Sequence, residues 1–284
     1  MDMKSGGAVT PNWFATVMGT GIVAVAAAGQ PTPSAGLRSA AILMWALATT
    51  LFIALIVTTV SRWRGDPTGP RRHALDPILG HFYGAVPMAA LTVGAGTLLV
   101  GRDVIGLRLA LDIDWTLWIL GTAGGLGTGA AVPYLLGIRA PSRAPFGGWL
   151  MPVVPPMVSA STGALLVQYA PAGTARVALL IGCYALFAFS VTASALVIVR
   201  IGRQLARHGV GEARLVPTLW IVLGPLGQSI TAAGLLGRAA PTAVSAPVAH
   251  ALQAFGLAYG VPVWAGAVLW ALGAGFATLR TAAQ

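Results

Sequence analysis

What this sequence withholds is charge. Only 8% of its residues are Asp, Glu, Lys or Arg, against 56% hydrophobic, and its mean hydropathy is +0.80. A soluble core cannot enclose that much apolar surface, so the composition describes a membrane protein. Cysteine is nearly absent too: Cys183 stands alone inside an apolar run, which excludes an intramolecular disulfide and a Cys-based metal cluster. Lysine occurs once, as Lys4, against 16 arginines, a bias in keeping with a GC-rich bacterial genome and hence a bacterial inner membrane. The net charge of +10 is spread over short stretches between apolar runs, with no basic face, so it speaks for topology and against a nucleic-acid partner. Residues 1–12 lack the charged region and short apolar stretch of a signal peptide, and none is expected.

What is present is a series of apolar runs, each about 20 residues or longer, the length that crosses a bilayer. They fall near 13–30, 39–61, 80–101, 115–137, 148–169, 177–199, 215–237 and 247–276. The expectation is one all-α, polytopic transmembrane domain of eight spans. The connecting segments divide their basic residues 12 against 5. One side holds Lys4, Arg62, Arg64, Arg71, Arg72, Arg139, Arg143, Arg200, Arg203, Arg207, Arg214 and Arg280; the other holds Arg38, Arg102, Arg108, Arg176 and Arg238. Basic loops stay cytoplasmic, so both termini are expected there. Trp13, Trp63, Trp115 and Trp149 sit near span ends, as interfacial residues do; Trp270 fits that role less well. No Asp, Glu, Lys or Arg falls inside these eight boundaries, which argues against a carboxylate-based proton relay.

The prolines repeat. Pro87, Pro156 and Pro225 are spaced by 69 residues, and one step back falls on Met18, beside Gly19, Thr20 and Gly21. Pro155 doubles the middle position. Spans two and six have no proline, while Pro133 and Pro262 lie toward one end of spans four and eight. The odd spans thus read as helices with a broken centre, and the sequence as hairpins with the broken helix first. Backbone groups freed by proline are costly in lipid, so the odd helices are expected inside and the even ones against lipid.

No fixed cation is available for an anion on such a path. The candidate lining and kink residues are Gly19, Thr20, Gly21, Pro87, Pro155, Pro156, Ser159, Ser161, Pro225, Gly227, Gln228 and Ser229, with Thr92 and Thr231 as further hydroxyls. Exposed N–H groups at helix starts would add partial positive charge. The same hydroxyls serve equally to cap freed carbonyls or join helices, Gly94, Gly96 and Gly227 to permit close contact, and Gln228 to bridge two helices. Weak, distributed donors suit passage better than retention. His81 and His250 are expected on opposite membrane faces, and no Ser, His and carboxylate meet at one depth, so neither a metal site, a cofactor nor an enzyme is expected.

Five stretches carry a family resemblance: "NWFATVMGTGIVA", "FYGAVPMAALTVGAG", "WLMPVVPPMVSASTGALL", "PTLWIVLGPLGQSITAAG" and "YGVPVWAGAVLW". Together they resemble the tellurite-resistance and dicarboxylate transporter family, which includes fungal malate permeases and sulfite pumps and is related to plant slow anion channels. The resemblance implies ten helices in five hairpins around a central pore, passage of small anions such as C4-dicarboxylates, sulfite or inorganic anions, and a ninth-helix phenylalanine occluding the pore in channel members. Export of tellurite or another toxic compound is the second reading it implies. A further 69-residue step falls ten residues beyond position 284, so the fifth hairpin has no counterpart here, and the occluding role is not transferred to Phe82, Phe187 or Phe189. Truncation is the expected explanation of the missing hairpin, with a genuine shorter pore completed as a homo-oligomer the alternative; a truncated, non-transporting product is the third functional reading.

Overall fold

The computed structural model describes residues 9–32, 34–139, 144–209 and 213–282, and their regular structure is helical throughout, with no strand among the described residues. Lys4 and Arg143, counted in the charge distribution, lie outside them. The chain divides into two units, Met1–Pro141 and Ser142–Gln284.

In the first unit, a 3-10 segment Pro11–Trp13 leads into α1 (Phe14–Ala28), followed by the long α2 (Ala35–Gly65) and the short α3 (Gly69–Ala74). A second 3-10 segment, Leu79–Gly84, leads into α4 (Ala85–Gly96), which passes through a π-helical turn Thr97–Gly101 into α5 (Arg102–Ile105) and then α6 (Leu107–Arg139). Helix α4 is the centre of this unit, packed by α1, α6 and, more lightly, α2.

The second unit repeats the plan. A 3-10 segment Gly147–Leu150 precedes α7 (Pro155–Leu166), and α8 (Thr174–His208) follows; a 3-10 segment Ala213–Val222 precedes α9 (Leu223–Ala239), and α10 (Ala246–Ala282) follows. Helix α7 packs on α8 and α9, and α9 on α10. Gly173 (φ 90°) and Gly209 (φ 71°) bracket α8 in a backbone region that β-carbon sterics deny other residues, so the chain turns sharply at both ends.

Six helical stretches among the described residues are long and apolar enough to cross a bilayer: Pro11–Ala28, Ala35–Gly65, Leu79–Ile105, Thr174–His208, Leu215–Thr242 and Ala246–Ala282. Burial separates odd spans from even ones. The most apolar window of Leu79–Ile105 is 89% buried, against 17% in Ala35–Gly65, 22% in Thr174–His208 and 11% in Ala246–Ala282. Helix α7 is buried along nearly its whole length, while Pro11–Ala28 and Leu215–Thr242 are intermediate at 28% and 39%. The even helices therefore act as the apolar sheath, with residues such as Leu43, Ile53, Leu196, Leu257 and Leu269 exposed along them. Phe187 departs from this pattern: it is buried and meets Phe255 and Tyr259 edge-on, holding α8 against α10.

Three expectations are corrected. First, Gly19, Thr20 and Gly21 do not break a helix; they lie inside the continuous α1. The prolines sit instead in the first turn of α4, α7 and α9, with Pro155 and Pro156 opening α7 and Pro87 and Pro225 third in α4 and α9, where a missing N–H costs least. Second, the stretch 148–169 is not one helix but a 3-10 turn, an irregular step and then α7. Third, the helix that carries the fourth apolar run begins at Leu107 rather than 115, which brings Asp112 and Asp114 into it, Asp114 at 0% exposure.

Polar contacts at the helix ends agree with the hairpin alternation within each unit. Arg38, at the start of α2, pairs with Asp103 of α5 at 2.9 Å. Arg176 donates to the carbonyls of Gln168, Ala170 and Thr242, joining the end of α7 to the end of α9. After α2, the Thr68 hydroxyl, then the Arg72 guanidinium, hold the Asp66 carboxyl down at about 2. Its folded pKa lies below the ordinary 3.8, so the turn's stabilisation is complete above that value and is lost as pH falls through about 2. Limited proteolysis by an acid-active protease should therefore cut the α2–α3 turn faster as pH falls through this window. Asp66→Asn should remove that pH dependence.

Candidate functional site

The site begins with the 3-10 segments. The α parts of the odd spans start at residues 14, 85, 155 and 223, spaced by 71, 70 and 68 residues. The repeat legible in the prolines is thus a repeat of 3-10 segments leading into α helices, directly at α1, α4 and α9 and across Met151–Val154 at α7, with Pro11 opening the first 3-10 segment. Proline withholds the N–H that the carbonyl four residues earlier would accept, and a 3-10 pattern shifts the hydrogen-bonding partner by one residue.

At the third junction two adjacent prolines act together. Pro155 and Pro156 cannot donate to the carbonyls of Met151 and Pro152, and Met157 N–H turns to Val154 O at 2.9 Å. Val153 O then accepts from the Ser190 hydroxyl of α8 at 2.6 Å, a buried contact between an even helix and the break in its odd partner. Beside it, Gly147 N–H donates to the Thr218 hydroxyl, and a Cβ on Gly147 would lie 1.8 Å from Thr218 O, so the two 3-10 segments meet backbone to backbone.

Beyond the junctions, consecutive odd helices touch. In the first unit, Gly21 of α1 faces Thr92 of α4 so closely that a Cβ on Gly21 would lie 2.7 Å from Thr92 Cγ2. In the second, the Gln228 amide of α9 donates to the Ser161 hydroxyl of α7. All four residues lie five to seven positions past the start of their own helix, so the two contacts occupy matching places in the repeat. Gly94 is pressed against Asp114 of α6 and Gly96 against Trp45 of α2, whereas Gly19 and Gly227 have open space where a Cβ would stand.

Most candidate hydroxyls turn inward on their own helix. Thr92 donates to Met88 O, Ser159 to Pro155 O, Ser161 and Thr162 to Val158 O, and Ser229 to Leu226 O, at 2.8–3.2 Å. Their protons are engaged, so towards a ligand they present oxygen lone pairs. Gln228 is different: its amide carries two N–H groups, and one is used on Ser161. Sequence reasoning missed Ser190 and Asp114, because Ser190 sits in a smooth even span and Asp114 one residue outside a boundary drawn by hydropathy. A signal for Asp114 did exist: the buried positions Ala110, Asp114, Gly121, Gly125 and Val132 follow helical spacing.

Long apolar helices sheathing shorter ones with proline at or just before their first turn define a multi-pass membrane protein built from repeated helical hairpins. Residues 8–283 match the voltage-dependent anion channel family, and the chain belongs to it. It is 25% identical over 220 residues to the sulfite efflux pump of Trichophyton rubrum, covering 77% of this chain and 58% of the pump. An uncharacterised transporter of Methanocaldococcus jannaschii is 28% identical over 228 residues, 78% of this chain and 62% of that one. The sulfite efflux pump of Candida albicans is 26% identical over 237 residues, 81% and 48%. The chain thus spans between 48% and 62% of the length of these relatives.

Two substitutions test the site's construction. Ser190→Ala leaves Val153 O without its donor and should lower stability in detergent by about 1–3 kcal/mol, read by denaturant unfolding. Gly21→Ala should cost about 1–3 kcal/mol by overpacking. Thr92→Ser, which removes the opposing methyl, should recover most of that loss when combined with it; additive losses in the double variant would refute the contact.

Proposed function

We propose that this protein conducts small oxyanions across the membrane, with sulfite as the leading substrate, along the helices of the odd spans. The observation that carries the reading is the 3-10 to α junction at the head of each odd helix, followed within two turns by the Gly21–Thr92 and Gln228–Ser161 contacts. Membership of an anion channel family and the names of the fungal relatives support it. The dicarboxylate and tellurite readings rest on sequence resemblance alone. The division of basic residues supports cytoplasmic termini.

The chemistry favours passage over capture. No Lys or Arg lies within α1, α4 or α7, and Arg238 is near the end of α9. An anion here meets helix-start dipoles and the spare N–H of Gln228, each a weak attraction, which lets an ion leave as readily as it enters.

Proteoliposomes containing the 284-residue chain should release sulfite faster than protein-free vesicles. Gln228→Leu, which removes about 1 kcal/mol of hydrogen bonding, should slow release about fivefold. Gln228→Glu, similar in shape but negative, should slow it further. Equal leakage from loaded and empty vesicles for sulfite, malate and nitrate alike would sink the proposal.

A further inference from the structure

The first unit contains a side chain that the anion path does not use. Asp114 of α6 has 0% exposure, and neither carboxyl oxygen has a hydrogen-bond partner among the described residues. It lies against the backbone of the buried helix: a Cβ on Gly94 of α4 would stand 2.6 Å from Asp114 Oδ1 and 3.5 Å from its Cα. An ionised carboxylate in that position would be buried without a compensating donor among the described residues, which costs several kcal/mol.

We propose that Asp114 is a proton-binding site that links the packing of α4 to pH, an inference that rests on the anion-transport reading. With the proton on, the neutral acid lies flat against Gly94 and the α4–α6 contact is closed. When the proton leaves to the surrounding water, the charge must be hydrated, so the contact at Gly94 opens. Helix α4 is also held at Thr92 against Gly21, two residues from Gly94, so the opening is transmitted to the contact between consecutive odd helices. A fixed negative charge beside the path also repels anions. Flux therefore falls as pH rises through the titration of Asp114.

The charged and titratable groups around this site are few. Helix α4 and the π-helical turn contribute none. The 3-10 segment Leu79–Gly84 offers His81 and Tyr83, but His81 lies thirteen residues before Gly94, about 20 Å along a helix axis. Helix α5 contributes Arg102 and Asp103, the latter paired with Arg38. On α6 itself, Arg108 and the exposed Asp112 precede Asp114, and Tyr134 lies more than five turns further on.

The test uses nitrate, which does not titrate between mildly acid and mildly alkaline pH. In proteoliposomes of the full chain, native flux should fall at least about fivefold across that range, while Asp114→Asn stays at the acid-side level throughout. Superimposable pH profiles would overturn the proposal. Infrared spectra of the native protein with carbon-13 carboxyl-labelled aspartate supply a readout independent of flux. A protonated-carboxyl band that persists when exposed aspartates are ionised, and is missing in Asp114→Asn, supports the site; its absence from the native protein overturns it. If nitrate and sulfite both fail to cross, the transport reading falls and the infrared band alone decides whether Asp114 holds a proton. Should Asp114→Asn not fold, Asp114→Ser replaces it in both measurements with the same expectations.

Discussion

A carbonyl oxygen without a donor is the constraint around which this protein is arranged. In hydrocarbon such a group costs several kcal/mol, and the adjacent Pro155 and Pro156 withhold two of the N–H groups that would prevent it. The fold answers in two ways: 3-10 segments precede the α helices of the odd spans, and at the most disrupted point Ser190 comes from a neighbouring helix to Val153 O. Each answer requires that the broken segment be enclosed by protein. The contrast between the buried α4 and α7 and the exposed α2, α8 and α10 follows from that need.

The helical class, the repeat and the inside–outside order of the spans were legible in the sequence because each leaves a mark on residue type. Apolar runs mark bilayer length, and prolines mark where the odd helices change character. The phase of the first repeat was misread because Gly19–Gly21 look like a break, yet glycine between good neighbours weakens a helix without interrupting it. The deciding variable there is which carbonyl each N–H reaches, and residue type specifies it only where proline removes the N–H altogether.

Candidate residues divide along the same line. Pro87, Pro155, Pro156 and Pro225 stand at junctions because proline can stand in few other places. Ser159, Ser161 and Ser229 were equally consistent with facing a path or serving their own backbone, and the direction of a hydroxyl proton leaves no trace in composition. Asp114 escaped because hydropathy draws a boundary where charge begins, whereas packing draws it where burial ends. In α6 those two limits, Ala110 and position 115, differ by five residues, and the buried carboxyl lies in the gap.

The sheathing helices are also much longer than a bilayer requires. At 1.5 Å per residue, the 31, 35 and 37 residues of α2, α8 and α10 measure about 46–56 Å, against a hydrocarbon core of about 30 Å. The α parts of the buried spans, α4 and α7, are 12 residues each, α4 within the 27-residue helical stretch Leu79–Ile105. Hydrophobic mismatch therefore falls on the sheath, which absorbs a thicker or thinner membrane by tilting, while the inner helices are insulated from lipid thickness.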